Sequence, residues 1–196
     1  MRHQIAPAFR LMLVLTILTG LIYPGVVTAL CQVFFHREAN GSMLSVEGKE
    51  VGSALVGQSF AKPQYFHPRP SAAGNDGYDA TASGGSNYGP TSQKLVDRVK
   101  ASVQQFRKEN PDYTGPIPAD MLTASGSGLD PDISPASAEA QAARVAKTRG
   151  INIEQAEQLI TEHTKGPDLG FLGEPRVNVL ELNLDLDRQF PLKGKG

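Results

Sequence analysis

Charge is missing from one long stretch of this 196-residue chain. Between Leu11 and Phe35, 25 consecutive residues carry no Asp, Glu, Lys, Arg or His. Tryptophan is absent and aromatics make up 7%. A single cysteine, Cys31, excludes an intramolecular disulfide framework and any multi-cysteine metal site. No excess of basic charge is present either. Nineteen basic residues face 20 acidic ones, a net charge of -1, so the counterion-release surface that a nucleic-acid binder needs is lacking.

The uncharged stretch is itself informative. Eighteen of its residues are apolar, and as a helix it reaches about 37 Å, long enough to cross a bilayer core. In lipid the backbone must satisfy its own hydrogen bonds, so residues 11–35 read as a transmembrane helix. The alternative is a cleaved secretory signal. Signal cores are shorter and end at small residues, whereas Phe34 and Phe35 close this one. Cys31 is not a natural lipidation site, because bulky Leu30 precedes it. Arg2 and Arg10 lie before the span with no acid among the first ten residues, and 17 basic and 20 acidic residues follow it. The positive-inside rule then makes residues 1–10 a cytoplasmic tail and 36–196 extracytoplasmic. Within the span, Pro24 is expected to kink the helix. Gly20, Pro24, Gly25 and Ala29 place small or helix-breaking residues at four-residue spacing, which suits close helix packing; such residues are also simply common in membrane helices.

Beyond the span, the pattern predicts one mixed α/β domain. A hairpin is expected over Met43–Ala54 around Glu47–Gly48. Residues 63–90 form a long loop, rich in Pro, Gly, Ser and Asn, whose aromatics Tyr65, Phe66, Tyr78 and Tyr88 favour an ordered, packed segment. Leu95, Val99, Val103 and Phe106 mark one face of a helix over 92–110. Ser134–Pro135 opens a second helix that Gly150 ends. Asn152 and Gln155 open a third, with Ile153, Ala156, Leu159, Ile160 and His163 facing inward. The alternating leucines 180, 182, 184 and 186 predict a half-buried strand with a register break near Val179.

Familiar catalytic and metal motifs do not fit. Gly41 and Gly48–Lys49 have the wrong spacing for a phosphate loop, and Glu50 stands where Ser or Thr belongs. Asp130–Ser134 opens like a calcium loop, but Pro135 and Gln141 occupy its obligatory Gly and Glu positions. His3, His36, His67 and His163 are scattered. The Ser83-Gly84-Gly85-Ser86-Asn87 segment can offer N–H groups and hydroxyls to an anion or a partner loop, or can simply be a tight turn. Segment 123–130 is similar, and Arg69 supplies a nearby cation. Gln141, with Arg144 on the next turn, reads either as a phosphate donor or as a solvated helix face.

Several segments, in order, carry a resemblance. They are Tyr23-Pro24, Tyr65-Phe66-His67-Pro68-Arg69-Pro70-Ser71-Ala72, Ser83–Asn87, Thr123-Ala124-Ser125-Gly126-Ser127-Gly128-Leu129-Asp130, Arg144-Val145-Ala146 and Val177-Asn178-Val179-Leu180-Glu181-Leu182-Asn183. Together with Phe60 and Pro63, they resemble the C-subunit family of the bacterial Kdp potassium-transporting ATPases. The resemblance implies a single-pass inner-membrane subunit of a complex that takes up potassium at the expense of ATP. Its implied partners are a channel-like A subunit, a phosphorylated P-type B subunit and a small F subunit. The family is described as a catalytic chaperone that raises the nucleotide affinity of the B subunit. The chain has neither an Asp-Lys-Thr-Gly phosphorylation motif nor a Thr-Val-Gly-Tyr-Gly filter, in keeping with a non-catalytic role. No firmly bound cofactor is expected, and ATP is reached only through the complex. Residues Ser83–Asn87, Arg69 and Gln141 become candidate partner or nucleotide contacts. The charge-derived topology favours partners, since it puts these residues across the membrane from cytoplasmic ATP. The rival from another class is a membrane-anchored periplasmic hydrolase or solute-binding domain.

Overall fold

The computed structural model describes residues 2–192; Met1 and residues 193–196, the outermost parts of the expected tail and domain, lie outside them. The chain divides into two compact units, Met1–Val51 and Gly52–Gly196.

The first unit is dominated by one continuous helical run. Helix α1 (Arg2–Ile17) passes through a π-helical turn, Leu18–Ile22, into α2 (Tyr23–Phe34). Residues His3–Phe34 are long and apolar enough to cross a membrane, and none of that run is buried within the chain. The disturbance expected at Pro24 takes the form of the π-turn. Proline has no N–H for the carbonyl of Gly20, and just before it hydrogen bonding widens by one residue, Tyr23 N–H donating to Leu18 O. A short helix α3 (His36–Ala39) follows. Strands β1 (Met43–Val46) and β2 (Lys49–Ser53) then form the predicted hairpin, and the boundary between units falls within β2. Both turn residues have left-handed φ, 51° at Glu47 and 78° at Gly48, as a two-residue hairpin turn requires.

The second unit mixes helices with a small antiparallel sheet. Helix α4 (Gln93–Glu109) buries Phe106 from the predicted face. After a 3₁₀ turn at Ala119–Met121 come β3 (Asp132–Ile133), α5 (Pro135–Arg149), α6 (Ile153–His163), β4 (Thr164–Lys165), β5 (Arg176–Asn178) and α7 (Val179–Gln189). The sheet order is β3-β5-β4, with Ile133 opposite Val177 and Thr164 opposite Val177. The helix starts and stops are those the local chemistry demands. Ser134 Oγ accepts the Ser137 N–H at 3.1 Å, Gly150 ends α5 at φ 70°, and Asn152 with Gln155 forms the capping box of α6. Ala156, Leu159 and Ile160 are buried, as expected; Ile153, assigned to the same face, is 39% exposed at the first turn.

One element differs in kind. The alternating leucines form helix α7, not a strand. Asn178 caps it, accepting the Glu181 N–H at 3.0 Å. Its buried face includes Val179, Leu182, Asn183 and Leu186, spaced at three, four and seven residues. A polar residue on the buried face concealed the helical period and left only the alternation of leucines visible.

Segment 63–90 contains no helix or strand, yet Phe66 and Ala73 within it are fully buried in the domain. Full burial of a phenylalanine contributes about 2–3 kcal/mol. Phe66 joins a core that includes Ile133, Val145, Leu159, Val177 and Leu182.

Candidate functional site

A segment without regular structure still has backbone N–H and C=O groups to satisfy when buried. Here side chains of α5 and α7 supply the partners. Asn183 accepts the Phe66 N–H and donates to the Phe66 carbonyl, both at 2.9 Å. One residue on, Gln141 accepts the His67 N–H at 2.8 Å and donates to the His67 carbonyl at 3.1 Å. In extended chain, successive residues direct their backbone groups to opposite sides, so two helices grip two consecutive residues.

Arg144 extends the grip toward the start of the loop. Its Nη1 donates to the carbonyls of Pro63 and Tyr65 at 2.5 and 2.9 Å, its Nε to Asn110 Oδ1 at 2.9 Å, and its Nη2 to Gln141 Oε1 at 2.7 Å. Burial lowers its pKa to about 10, opposed by the nearby Glu109 carboxylate, so the guanidinium stays charged at neutral pH. Arg149 adds a bond from Nε to Gln64 O at 2.9 Å and stacks over Tyr65 at 4.9 Å. Gln141 and Arg144 therefore do not form a solvated helix face. They are 0% and 8% exposed, held against a backbone that sequence alone does not place beside them.

The two Gly/Ser segments meet one another. Gly84 N–H and Ser83 Oγ both donate to Ser127 O, at 2.8 and 3.0 Å, and Ser71 Oγ donates to Gly128 O at 2.6 Å. Gly128, at φ 69°, is the crossing point: a Cβ there would sit 2.7 Å from both Ala73 N and Gly84 O. Gly85 passes nearly as close to Gly126, whose carbonyl would be 2.9 Å from an added Cβ. Gly84–Ser86 are half-buried and Asn87 is exposed, with a left-handed φ of 49°. Arg69 pairs with Asp130 at 2.8 Å, which ties the loop to the second segment. Burial pushes the Tyr78 hydroxyl well above its ordinary pKa, reinforced by Asp130, while that hydroxyl donates to Arg69 O at 2.5 Å. Of the residues singled out from sequence, Arg69 and Ser83–Gly85 thus come together with segment 125–130, and Gln141 lies in a separate buried network.

Two histidines sit beside carboxylates. His67 Nδ1 lies 3.2 Å from Glu109, and that hydrogen bond is the main reason the Glu109 pKa falls below its ordinary value. His163 Nε2 lies 2.9 Å from Asp185. Burial pushes Asp185 up, but hydrogen bonds from His163 and Gln189, with the charge of Arg188, outweigh it and leave the carboxyl below its usual range.

On the apolar helix, Gly20, Pro24, Gly25 and Ala29 are all exposed, and a Cβ added at Gly20 or Gly25 would find nothing within 4 Å. A second exposed apolar feature escaped sequence reasoning. Residues 166–175, which join β4 to β5, expose Leu169, Phe171 and Leu172. The signal was present as three large apolar residues inside a run bounded by Gly166-Pro167 and Glu174-Pro175.

The family model for the K+-transporting ATPase c chain, KdpC, matches residues 5–188. The potassium-transporting ATPase KdpC subunit of Koribacter versatilis is 54% identical over 193 residues, covering 98% of each chain. That of Rhodospirillum rubrum is 54% identical over 192 residues, covering 98% of this chain and 99% of its own. The subunit of Mycobacterium tuberculosis is 54% identical over 190 residues, covering 96% and 100%.

Proposed function

The chain belongs to the K+-transporting ATPase c chain family, and from that premise we propose that it is the accessory, non-catalytic subunit of an ATP-driven potassium-uptake complex. Its apolar helix crosses the inner membrane once, with the N-terminus in the cytoplasm. The following domain lies outside and packs over the external loops of the channel-like A subunit, while the helix docks against the membrane-embedded A, B and F subunits. The role is to stabilise the assembly. Any rise in ATP affinity of the B subunit is then transmitted through the complex, without direct contact between this domain and nucleotide. The slight acidity of the domain favours approach of cations.

The observation that carries this reading is the apolar helix His3–Phe34, none of whose membrane-length window is buried within its own chain, in a member of a transporter-subunit family. A hydrolase reading would need a nucleophile beside a histidine base. Among the described residues, the ring bonds of His67 and His163 go to Glu109, Asp185 and the Lys62 carbonyl.

Thiol labelling in intact cells tests the reading. With Cys31→Ser as background, Lys100→Cys is expected to react with a membrane-impermeant maleimide, and the subunits are expected to copurify. Labelling that requires permeabilised cells would overturn the topology. An intact complex with unchanged potassium affinity and ATPase activity after removal of residues 43–196 would overturn the role assigned to the domain.

A further inference from the structure

Single exposed apolar side chains are ordinary, but three within four residues are not. Leu169 is 83% exposed, Phe171 74% and Leu172 50%. The loop that carries them has defined internal bonding. Asp168 and Leu172 exchange both backbone hydrogen bonds, at 2.8 and 2.9 Å, and the Asp168 carboxylate accepts Arg176 Nη2 at 3.2 Å. Leu169 is held at φ 54°, a left-handed conformation unfavourable for a leucine, and is followed by Gly170 and Gly173 at φ 83° and 85°. The fold thus maintains a strained backbone whose effect is to direct apolar groups into water. Pre-organised apolar tips of this kind suit insertion into a pocket, because little conformational freedom is left to lose on binding.

The charges around the loop discriminate between a bilayer and a protein pocket. Residues 166–175 contain Asp168 and Glu174 but no Lys, Arg, Trp or Tyr. The nearest cations are already engaged, Lys165 with Glu181 at 2.6 Å and Arg176 with Asp132 and Asp168. Membrane-surface segments rely on basic and interfacial aromatic residues, and acids beside the tip are repelled by anionic headgroups. Counting both members of each pair, the two cations Lys165 and Arg176 face four acids, Asp132, Asp168, Glu174 and Glu181, and the resulting acidic excess around an apolar tip is complementary to an apolar pocket edged by basic side chains.

We propose that Leu169, Phe171 and Leu172 form a second anchor, which inserts into an apolar, basic-rimmed pocket on the extracytoplasmic side of a partner subunit of the ATPase. This rests on the subunit reading given above and adds the surface through which the domain holds its partner.

Site-specific photocrosslinking in the assembled complex tests it, with p-benzoylphenylalanine in place of Phe171 and, separately, of Val33 on the apolar helix. Position 171 is expected to capture a transporter subunit. Phe171→Ser, in the same complex, is expected to weaken retention of the chain by about tenfold or more, the scale of a buried aromatic anchor. Capture of lipid at 171, or no capture there while position 33 still crosslinks to a subunit, overturns the anchor and leaves the subunit reading standing. Unchanged retention of Phe171→Ser also overturns the anchor. Failure of both positions to capture a subunit overturns the subunit reading itself.

Discussion

Asn183 on α7 holds Phe66 by both backbone groups, its amide oxygen accepting the N–H and its amide nitrogen donating to the carbonyl, each at 2.9 Å. The side chain does what a neighbouring strand would do, in a segment that has no strand beside it. With Gln141 treating His67 in the same way, two amides replace a sheet ladder. This explains how a long, glycine-rich connection keeps a fixed path across the domain.

Replacing Asn183 by alanine strands two buried backbone groups at once. Each unsatisfied group costs about 1–3 kcal/mol, so Asn183→Ala is expected to destabilise the chain by roughly 2–5 kcal/mol. Chemical denaturation of the full-length chain in detergent measures this. Limited proteolysis should also show earlier cleavage within residues 63–90. A loss below about 0.5 kcal/mol would mean that the amide does not hold the loop.

The crossing of the two Gly/Ser segments makes a sharper pair. Gly128 has both a left-handed φ of 69° and no room for a Cβ, whereas a Cβ on Gly126 would meet nothing within 4 Å. Gly128→Ala is therefore expected to cost at least about 2 kcal/mol, from the backbone conformation and the clash together. Gly126→Ala should change thermal stability little. Equal effects at the two positions would remove the crossing as an explanation for glycine at 128.

Much of the fold beyond the apolar helix was legible locally. The caps at Ser134, Gly150 and Asn152 act through neighbours in sequence, and so do the Glu47–Gly48 turn and the apolar face that ends in Phe106. What could not be read depends on distant partners. Helix α7 looked like a strand because the polar residue at its buried position, Asn183, is there for Phe66, 117 residues away. Gln141 and Arg144 read as solvated because the backbone carbonyls that bury them come from residues 63–67, up to 81 positions earlier. Tyr88 shows the converse, since its spacing among Tyr65, Phe66 and Tyr78 predicts packing but it is 40% exposed.

Acid should weaken the domain through two carboxyls. Glu109 and Asp185 both lie below their ordinary pKa in the folded chain. A depressed carboxyl contributes stability that is fully present above its unfolded pKa and lost as pH falls through the folded one. Stability should therefore decline below about pH 4.5, the ordinary glutamate value, with Glu109 contributing first and Asp185 following at lower pH. Glu109→Gln removes the first part of that decline. Melting temperatures between pH 6 and pH 3 give the comparison, and an unchanged slope in the variant would exclude Glu109 as a source.

Gly25 provides the cleanest test of helix docking because it is indifferent to its own chain. An added Cβ meets nothing within 4 Å, and within the helix a leucine has higher intrinsic propensity than glycine. Gly25→Leu should leave the helical content and membrane insertion of the isolated chain unchanged. In the transporter, close approach of a neighbouring helix needs a small residue at such a position. The variant is then expected to copurify with its partner subunits several-fold less well than the unmodified chain, and Gly20→Leu similarly. Leu30→Phe, at an exposed position of the same run about 140° around the helix from Gly25, serves as the control for added bulk. If Gly25→Leu assembles as well as Leu30→Phe, the face bearing Gly20, Pro24, Gly25 and Ala29 lies against lipid, and the helix docks by another side.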